Sequence, residues 1–313
     1  MKLFRLATIM ALVIIALAAC AMPAEPERKA LVYGISRYDV SVPATFDPNL
    51  TWTDEDAISM SKLLSDSGWM VTEGIADSDL DAENLDASRN KMLTDIESLK
   101  GFKGTVLFYY SGHGFSVNGD SMIIPYGTAY NSSQWIKASE LYTLFESAEL
   151  SNVIIILDSC YSGGFVFEGA TVDAIPPIFG TYDPVGEVSY TWFADALGDS
   201  VQSYVNYEQN SKYVVISAAG AGELSWESSS SAYGSGHGIF TYFLLQSEAD
   251  RDADFDGDGL VTTGEAFAYC VAKIDATWNT DNATLYDPLS GTYADYLPHL
   301  SGTAREYALW ATE

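Results

Sequence analysis

Two residues suited to nucleophilic chemistry stand at the ends of two strand-like runs. Asn152-Val-Ile-Ile-Ile-Leu157 is followed by Asp158-Ser-Cys160-Tyr-Ser-Gly-Gly164, and Thr105-Val-Leu-Phe-Tyr-Tyr110 is followed by Ser111-Gly-His113-Gly114. A thiol at its free pKa is only a few per cent thiolate near neutrality. An imidazole within reach takes the proton during attack and returns it to the leaving group. Val153 to Leu157, β-branched in four of five residues, reads as a strand buried on both faces, and ligand sites in open α/β sheets lie beyond the carboxyl ends of such strands. If the two runs are neighbours in a parallel sheet, their backbones lie ~4.8 Å apart and both side chains enter one cleft. Gly112 and Gly114 predict a tight turn around His113, and backbone N–H groups at Gly114 and Cys160 are candidates to face a developing oxyanion. Taken singly, Cys160 also reads as a buried core cysteine and His113 as a structural histidine, and the residues alone leave both readings open.

A second chemical pattern is Asp254-Phe-Asp256-Gly-Asp258-Gly259-Leu260-Val-Thr-Thr-Gly-Glu265. Acids at positions 1, 3, 5 and 12, glycine at 6 and an apolar residue at 8 match the EF-hand calcium loop. Its hard carboxylate oxygens suit Ca²⁺, with Leu260 giving its backbone carbonyl. The other reading is an acidic surface loop. Calcium is abundant outside cells, so a permanent structural ion is expected rather than a switch.

The elements that must position these residues alternate between strand and helix. Lys29–Ser36 reads as a first strand. Thr53 opens a helix with capping-box spacing to Asp56 and with Ala57, Met60 and Leu64 on one face. Trp69–Ile75 reads as a strand, Leu85–Leu99 as a helix stopped by Lys100-Gly101, Asp120–Pro125 as part of a short hairpin and Ala138–Ala148 as a helix. Lys212–Ser217 resumes the sheet, Ile239–Glu248 and Gly264–Ile274 read as helices around the acidic loop, and Leu297–Gly302 as an edge strand in a loop-rich tail. Thr191–Asn206 is a further helical stretch. The alternation predicts an α/β fold, a mostly parallel sheet with helices on both faces.

Length and composition, 313 residues with 48% hydrophobic and 13% aromatic, allow a substantial core. A formal charge of −28, from 43 acidic against 15 basic residues, argues against nucleic acid, which needs a basic face. It favours cationic partners, and it equally fits a solvated acidic surface. Lys2 and Arg5, the apolar stretch Ile9–Leu17 and the ending Leu17-Ala-Ala-Cys20 have the parts of a signal peptide. That ending resembles the bacterial lipoprotein box, which implies lipidation of Cys20, membrane attachment through the N-terminal lipid and a place in the bacterial cell envelope. Of the three cysteines, Cys270 reads as a packed small hydrophobe. The expected organisation is a signal peptide over 1–19, a tether over 20–28, a large catalytic lobe over 29–168, an inter-lobe segment over 169–211 and a small lobe with the EF-hand-like loop over 212–313.

Tyr110-Ser-Gly-His-Gly114 and Asp158-Ser-Cys-Tyr-Ser-Gly-Gly164 resemble the His and Cys motifs of the caspase-like cysteine peptidases, particularly the metacaspase and bacterial branch. The likeness runs from Ala30 through Ser217-Ala-Ala219 and Gly238-Ile-Phe-Thr241 to about Gly302. It implies a caspase/hemoglobinase-like fold with large and small lobes in one chain and with His113 and Cys160 as the dyad. It also implies that Asp56 and Asp158 line a pocket for Arg or Lys at P1, although the helix-cap spacing from Thr53 accounts for Asp56 as well. Residues 165–211 contain no Lys or Arg, so an enzyme specific for basic residues is expected to remain a single chain there.

Together these readings predict a lipid-anchored envelope cysteine endopeptidase that cleaves protein or peptide substrates after Arg or Lys and carries a structural Ca²⁺. The alternatives are a calcium-stabilised, non-catalytic scaffold of the same fold and a peptidase with Asp at P1.

Overall fold

The computed structural model describes residues 27–38, 49–77, 87–117, 120–129, 131–161, 212–218, 225–234, 236–282, 286–287, 292–293, 298–301 and 307–312. The signal peptide, Cys20, the inter-lobe segment and the Thr191–Asn206 helix lie outside these residues. Among the described residues no helix is long and apolar enough to cross a membrane.

The central sheet is laid down by β1 (Arg28–Ile35), β2 (Met70–Ala76), β3 (Thr105–Val117), β4 (Asp120–Ile123), β5 (Ile136–Lys137), β6 (Asn152–Tyr161) and β7 (Tyr213–Ser217). Smaller strands follow: β8 (Glu227–Ser228), β9 (His237–Gly238), β10 (Leu260–Thr262), β11 (Tyr286–Asp287), β12 (Thr292–Tyr293), β13 (His299–Ser301) and β14 (Ala308–Ala311). The sheet has eight strands, with the path β13-β7-β6-β3-β1-β2 and with β4 and β5 added beside β3. Strands β7, β6, β3, β1 and β2 are mutually parallel, whereas β13 and β4 run antiparallel to their neighbours. This is the mostly parallel α/β architecture that the alternation predicts. The edge strand expected near residue 300 is β13.

Helices cover both faces because the strands are apolar on both faces. On one side, Tyr33, Phe108, Ile155 and Val215 pack with α2 (Arg89–Ser98) and α3 (Ala138–Ser147). On the other, Val32, Tyr109, Ile156 and Ile216 pack with α1 (Thr53–Asp66), α4 (Ile239–Ala249) and α5 (Thr263–Ile274). The two-residue side-chain period of a strand sorts neighbours in sequence onto opposite faces. Cys270 is fully buried in the second of these layers and is a free thiol, as its apolar surroundings predict.

Three local expectations differ from the structure. No capping box forms at the start of α1: the N-cap position is Trp52 and lacks a side-chain bond, and Thr53 Oγ1 instead donates to the Ile35 carbonyl at 2.6 Å. The Asp56 carboxylate is drawn into the core by donors from other elements, which local spacing does not reveal. Residues 111–114 form no tight turn, because β3 continues to Val117 with β6 paired along it. Within the tail, β14 pairs antiparallel with β10 and buries Leu309 and Trp310 against the α1 side of the sheet. The Leu309 carbonyl accepts from Trp69 Nε1 at 2.8 Å, which ties the C-terminal strand to the residue preceding β2.

Trp310 is 1% exposed, so truncating it leaves a large void. Trp310→Ala is expected to destabilise the fold by about 3–5 kcal/mol, measured by urea unfolding. A loss below about 1 kcal/mol would mean that β14 is not a core element in solution.

Candidate active site

The site is built on one parallel pairing. β3 and β6 run in register from Thr105 opposite Asn152 to Gly114 opposite Tyr161, so that Ser111 faces Asp158 and His113 faces Cys160 across the ladder. Neighbouring strands lie ~4.8 Å apart. Positions 113 and 160 therefore stand side by side at the carboxyl end of the sheet, two residues beyond positions 111 and 158. Gly114 lies inside the ladder, opposite Tyr161 on one side and Ile123 on the other.

His113 is 1% exposed and its surroundings are aromatic. Its ring lies against Tyr38, with centroids 4.5 Å apart and planes inclined by 40°. Its backbone N–H donates to the Tyr38 hydroxyl, and its carbonyl accepts from Tyr110 Oη at 2.8 Å and from the Ile124 N–H at 3.1 Å.

Asp56 and Asp158 come from α1 and β6 to line one small pocket together with Ser111, Gly112 and Glu227. Both carboxylates are buried and both are held by donors. Asp56 Oδ2 accepts from Ser111 Oγ at 2.8 Å, and its Oδ1 lies 3.0 Å from both His237 Nδ1 and the Gly238 N–H. Asp158 Oδ1 accepts from Ser225 Oγ. Its Oδ2 accepts from the Thr241 N–H at 3.1 Å and from Thr241 Oγ1 at 2.6 Å. Thr241 Oγ1, having given its proton to Asp158, accepts from the Tyr109 hydroxyl 2.6 Å away. Gly238 lies between the two acids. A Cβ there would meet Asp158 Oδ2 at 2.5 Å and Asp56 Oδ2 at 2.9 Å, so only glycine lets β9 pass this close.

Burial raises the pKa of Asp56, outweighing the opposing contacts from His237, Ser111 and Gly238. Burial also pushes Asp158 up to about 7, with the neighbouring Asp56 charge as the second cause and the Ser225 and Thr241 bonds opposing it. Two acids brought close in a dry site hold protons that a lone exposed carboxylate would lose.

Several site residues escaped the sequence reading. Ser111 and Thr241 lie inside motifs already singled out, and the partners of their hydroxyls were the missing information. His237 is one of only three histidines and immediately precedes the Gly238-Ile-Phe-Thr241 helix start, a placement that could have drawn attention. Ser225 and Glu227 carry no local signal. Glu227 adds a third carboxylate to the pocket and accepts from the Thr51 and Trp52 N–H groups, both at 3.2 Å.

The acidic loop folds between α4 and α5. Asp254, Asp256 and Glu265 bring one carboxylate oxygen each within 4.8 Å of one another. Asp258 Oδ1 accepts from the Leu260 N–H at 2.8 Å, and Asp258 is not one of the three that converge. Asp254 collects the N–H groups of Gly257, Asp258 and Gly259, and Glu265 forms a capping box with Thr262 at the start of α5. Gly259 has φ +87°, the left-handed conformation that the sharp turn requires. The convergent hard oxygens fit a divalent cation such as Ca²⁺.

Comparison with known proteins agrees with the fold. The family model for the caspase domain matches residues 27–256. The chain belongs to that family, which supports a cysteine peptidase-like function on protein substrates. A crystal structure of protein GSU0716 from Geobacter sulfurreducens is similar in fold, with a TM-score of 0.54 and 17% sequence identity over 92% of this chain and 100% of that one. A search of curated proteins found no match.

The raised Asp158 pKa makes stability depend on pH. The folded protein keeps the Asp158 proton up to about pH 7, whereas the unfolded chain loses it near the ordinary value of 3.8. Between those values the folded state binds more protons, so this group's contribution to stability falls as pH rises through the window. Asp158→Asn removes the charge and keeps one oxygen as acceptor for the Thr241 N–H and Oγ1, while its NH2 group donates to Ser225 Oγ in place of the bond that Ser225 gives to the carboxylate. Urea unfolding at several pH values is expected to give a flatter profile for the variant between about pH 4 and 7, with the difference shifting in its favour as pH rises. An unchanged slope would show that Asp158 is ionised throughout.

Proposed function

We propose that this protein is a cell-envelope cysteine endopeptidase, anchored by lipid on Cys20, that cleaves after Arg or Lys with Cys160 as nucleophile and His113 as proton carrier. The observation that carries the reading is the in-register pairing of β3 with β6, which brings residues 113 and 160 side by side next to a pocket walled by Asp56 and Asp158. A carboxylate-lined pocket attracts a guanidinium or ammonium group and repels an acidic P1 side chain, which disfavours cleavage after Asp.

In the proposed reaction the Cys160 sulfur attacks the scissile carbonyl carbon as His113 takes the thiol proton. The carbonyl oxygen becomes an oxyanion, for which the backbone N–H groups at Gly114 and Cys160 are the candidate donors. Collapse breaks the C–N bond, the proton on His113 goes to the departing amine, and a thioester remains. Water, deprotonated by His113, then hydrolyses the thioester and restores the thiol.

Arg- and Lys-peptidyl reporters are expected to be hydrolysed, a matched Asp reporter to be spared, and Cys160→Ala to lose at least about a thousandfold in kcat/KM. Equal hydrolysis by Cys160→Ala, or faster cleavage of the Asp reporter, would overturn the assignment. A fully folded protein that no thiol-directed activity probe labels would support the scaffold reading instead.

The loop from Asp254 to Glu265 is proposed to hold a structural Ca²⁺ through Asp254, Asp256, Asp258, the Leu260 carbonyl and Glu265. Binding to the folded state alone stabilises by about 2.7 kcal/mol at a hundredfold excess over Kd. Adding Ca²⁺ to chelator-treated protein should therefore raise its melting temperature, and Asp254→Asn with Glu265→Gln should abolish the shift. Absence of any shift in the wild-type protein would remove calcium from the reading.

A further inference from the structure

The hydroxyls of Tyr38 and Tyr110 meet both backbone polar groups of His113. The His113 N–H donates to Tyr38 Oη, Tyr110 Oη donates to the His113 carbonyl at 2.8 Å, and the two hydroxyls lie 3.3 Å apart. Chemistry fixes the directions. An amide N–H can only donate and a carbonyl can only accept, and each phenol has one proton. The Tyr110 proton points at carbonyl oxygens, those of His113 and of Ile124 at 3.1 Å. The Tyr38 proton therefore goes to Tyr110 Oη. The result is a closed ring of hydrogen bonds that begins at the His113 N–H and ends at the His113 carbonyl.

We infer that Tyr38 is a positioning residue for His113, acting with Tyr110 as a phenolic clamp that fixes the backbone of the histidine while the Tyr38 ring fixes its imidazole. This rests on His113 being the proton carrier. Tyr38, Tyr110 and His113 are all at most 1% exposed, so the ring of bonds is shielded from competing water. Tyr38 is itself anchored through both of its own backbone groups, its N–H to Asn49 Oδ1 at 2.9 Å and its carbonyl from the Gly127 N–H at 3.0 Å. Its ring lies 4.5 Å from the imidazole, centroid to centroid. Burial pushes the Tyr38 phenol well above its ordinary pKa, so the hydroxyl keeps its proton throughout the working range.

The clamp also accounts for the glycine before the histidine. A Cβ on Gly112 would lie 2.5 Å from Tyr38 Oη and 2.7 Å from Tyr110 Oη. Glycine there makes room for two phenols to reach across the strand, which is a different role from the turn that the Gly-His-Gly spacing suggests. A proton carrier displaced by a fraction of an ångström loses much of its effect, so a device that fixes both backbone and ring bears directly on turnover.

The test is kinetic and uses the full chain. On an Arg-peptidyl reporter, Tyr38→Phe is expected to lower kcat about tenfold while KM stays within about twofold. Tyr110→Phe should behave similarly, and the double variant should lose little more than the worse single one, because one ring of bonds is opened in each case. In a His113→Ala background, Tyr38→Phe should leave the residual rate unchanged. The pH-dependent rate of iodoacetamide alkylation at position 160 makes the same comparison without a substrate, and melting temperatures confirm folding. A folded Tyr38→Phe with wild-type kcat and alkylation profile would overturn the inference, as would the same loss in the His113→Ala background or unfolding of both single variants. Wild-type turnover by His113→Ala would instead overturn the dyad reading on which the inference rests.

Discussion

The arrangement depends on the parallel pairing of β3 with β6, held in register over ten residue pairs from Thr105–Asn152 to Gly114–Tyr161. A strand's side chains alternate between faces, so a slip of one residue would send the whole set at the carboxyl end to the opposite side of the sheet. Register is secured by the buried apolar residues of both strands, which must meet α1, α4 and α5 on one face and α2 and α3 on the other. The chemistry at residues 111, 113, 158 and 160 is positioned by packing that lies mostly below it in the sheet.

A second constraint is electrostatic. Asp56 and Asp158 are 0% and 4% exposed, and a buried carboxylate is tolerated only when it is well supplied with donors. Most of those donors come from one later stretch of the chain: Ser225, His237, Gly238 and Thr241. The acids therefore join α1 and β6 to the segment that opens α4, and the pocket exists only when that segment is docked. The raised pKa of Asp158 is the residual strain of this arrangement. A cationic side chain entering the proposed pocket would offset this cost and favour the ionised carboxylates, so the same burial bears on both the joint and the proposed recognition.

The strands and helices were legible in the sequence because each is marked by its own period and its own stop signals. Val153–Leu157 reads as a buried strand, Ala57, Met60 and Leu64 as one helix face, and Lys100-Gly101 as a terminus, and the structure contains each of them. Errors occurred where a residue's partner is distant in the chain. Thr53 and Asp56 have the spacing of a capping box, yet Thr53 bonds to Ile35 and Asp56 to residues 111, 237 and 238. Gly112 has the look of a turn residue, yet it makes room for the phenol of Tyr110 from its own strand and for that of Tyr38, which lies far back in the chain. The tail reads as loop, because Trp310 is short of local pattern and gains its core place only by pairing with β10.

By itself, the sequence determined the alternation of elements, the apolar faces, the two strands that carry His113 and Cys160 and the acidic loop, since these follow from local periodicity and residue chemistry. The pairing of Asp56 with Asp158 in one pocket came from the family resemblance rather than from local pattern, and only the tertiary structure decided that Glu227 and His237 join them and that Tyr38 and Tyr110 close around His113. Such facts depend on which elements become neighbours, and that is decided by global packing and by the need to satisfy every buried polar group.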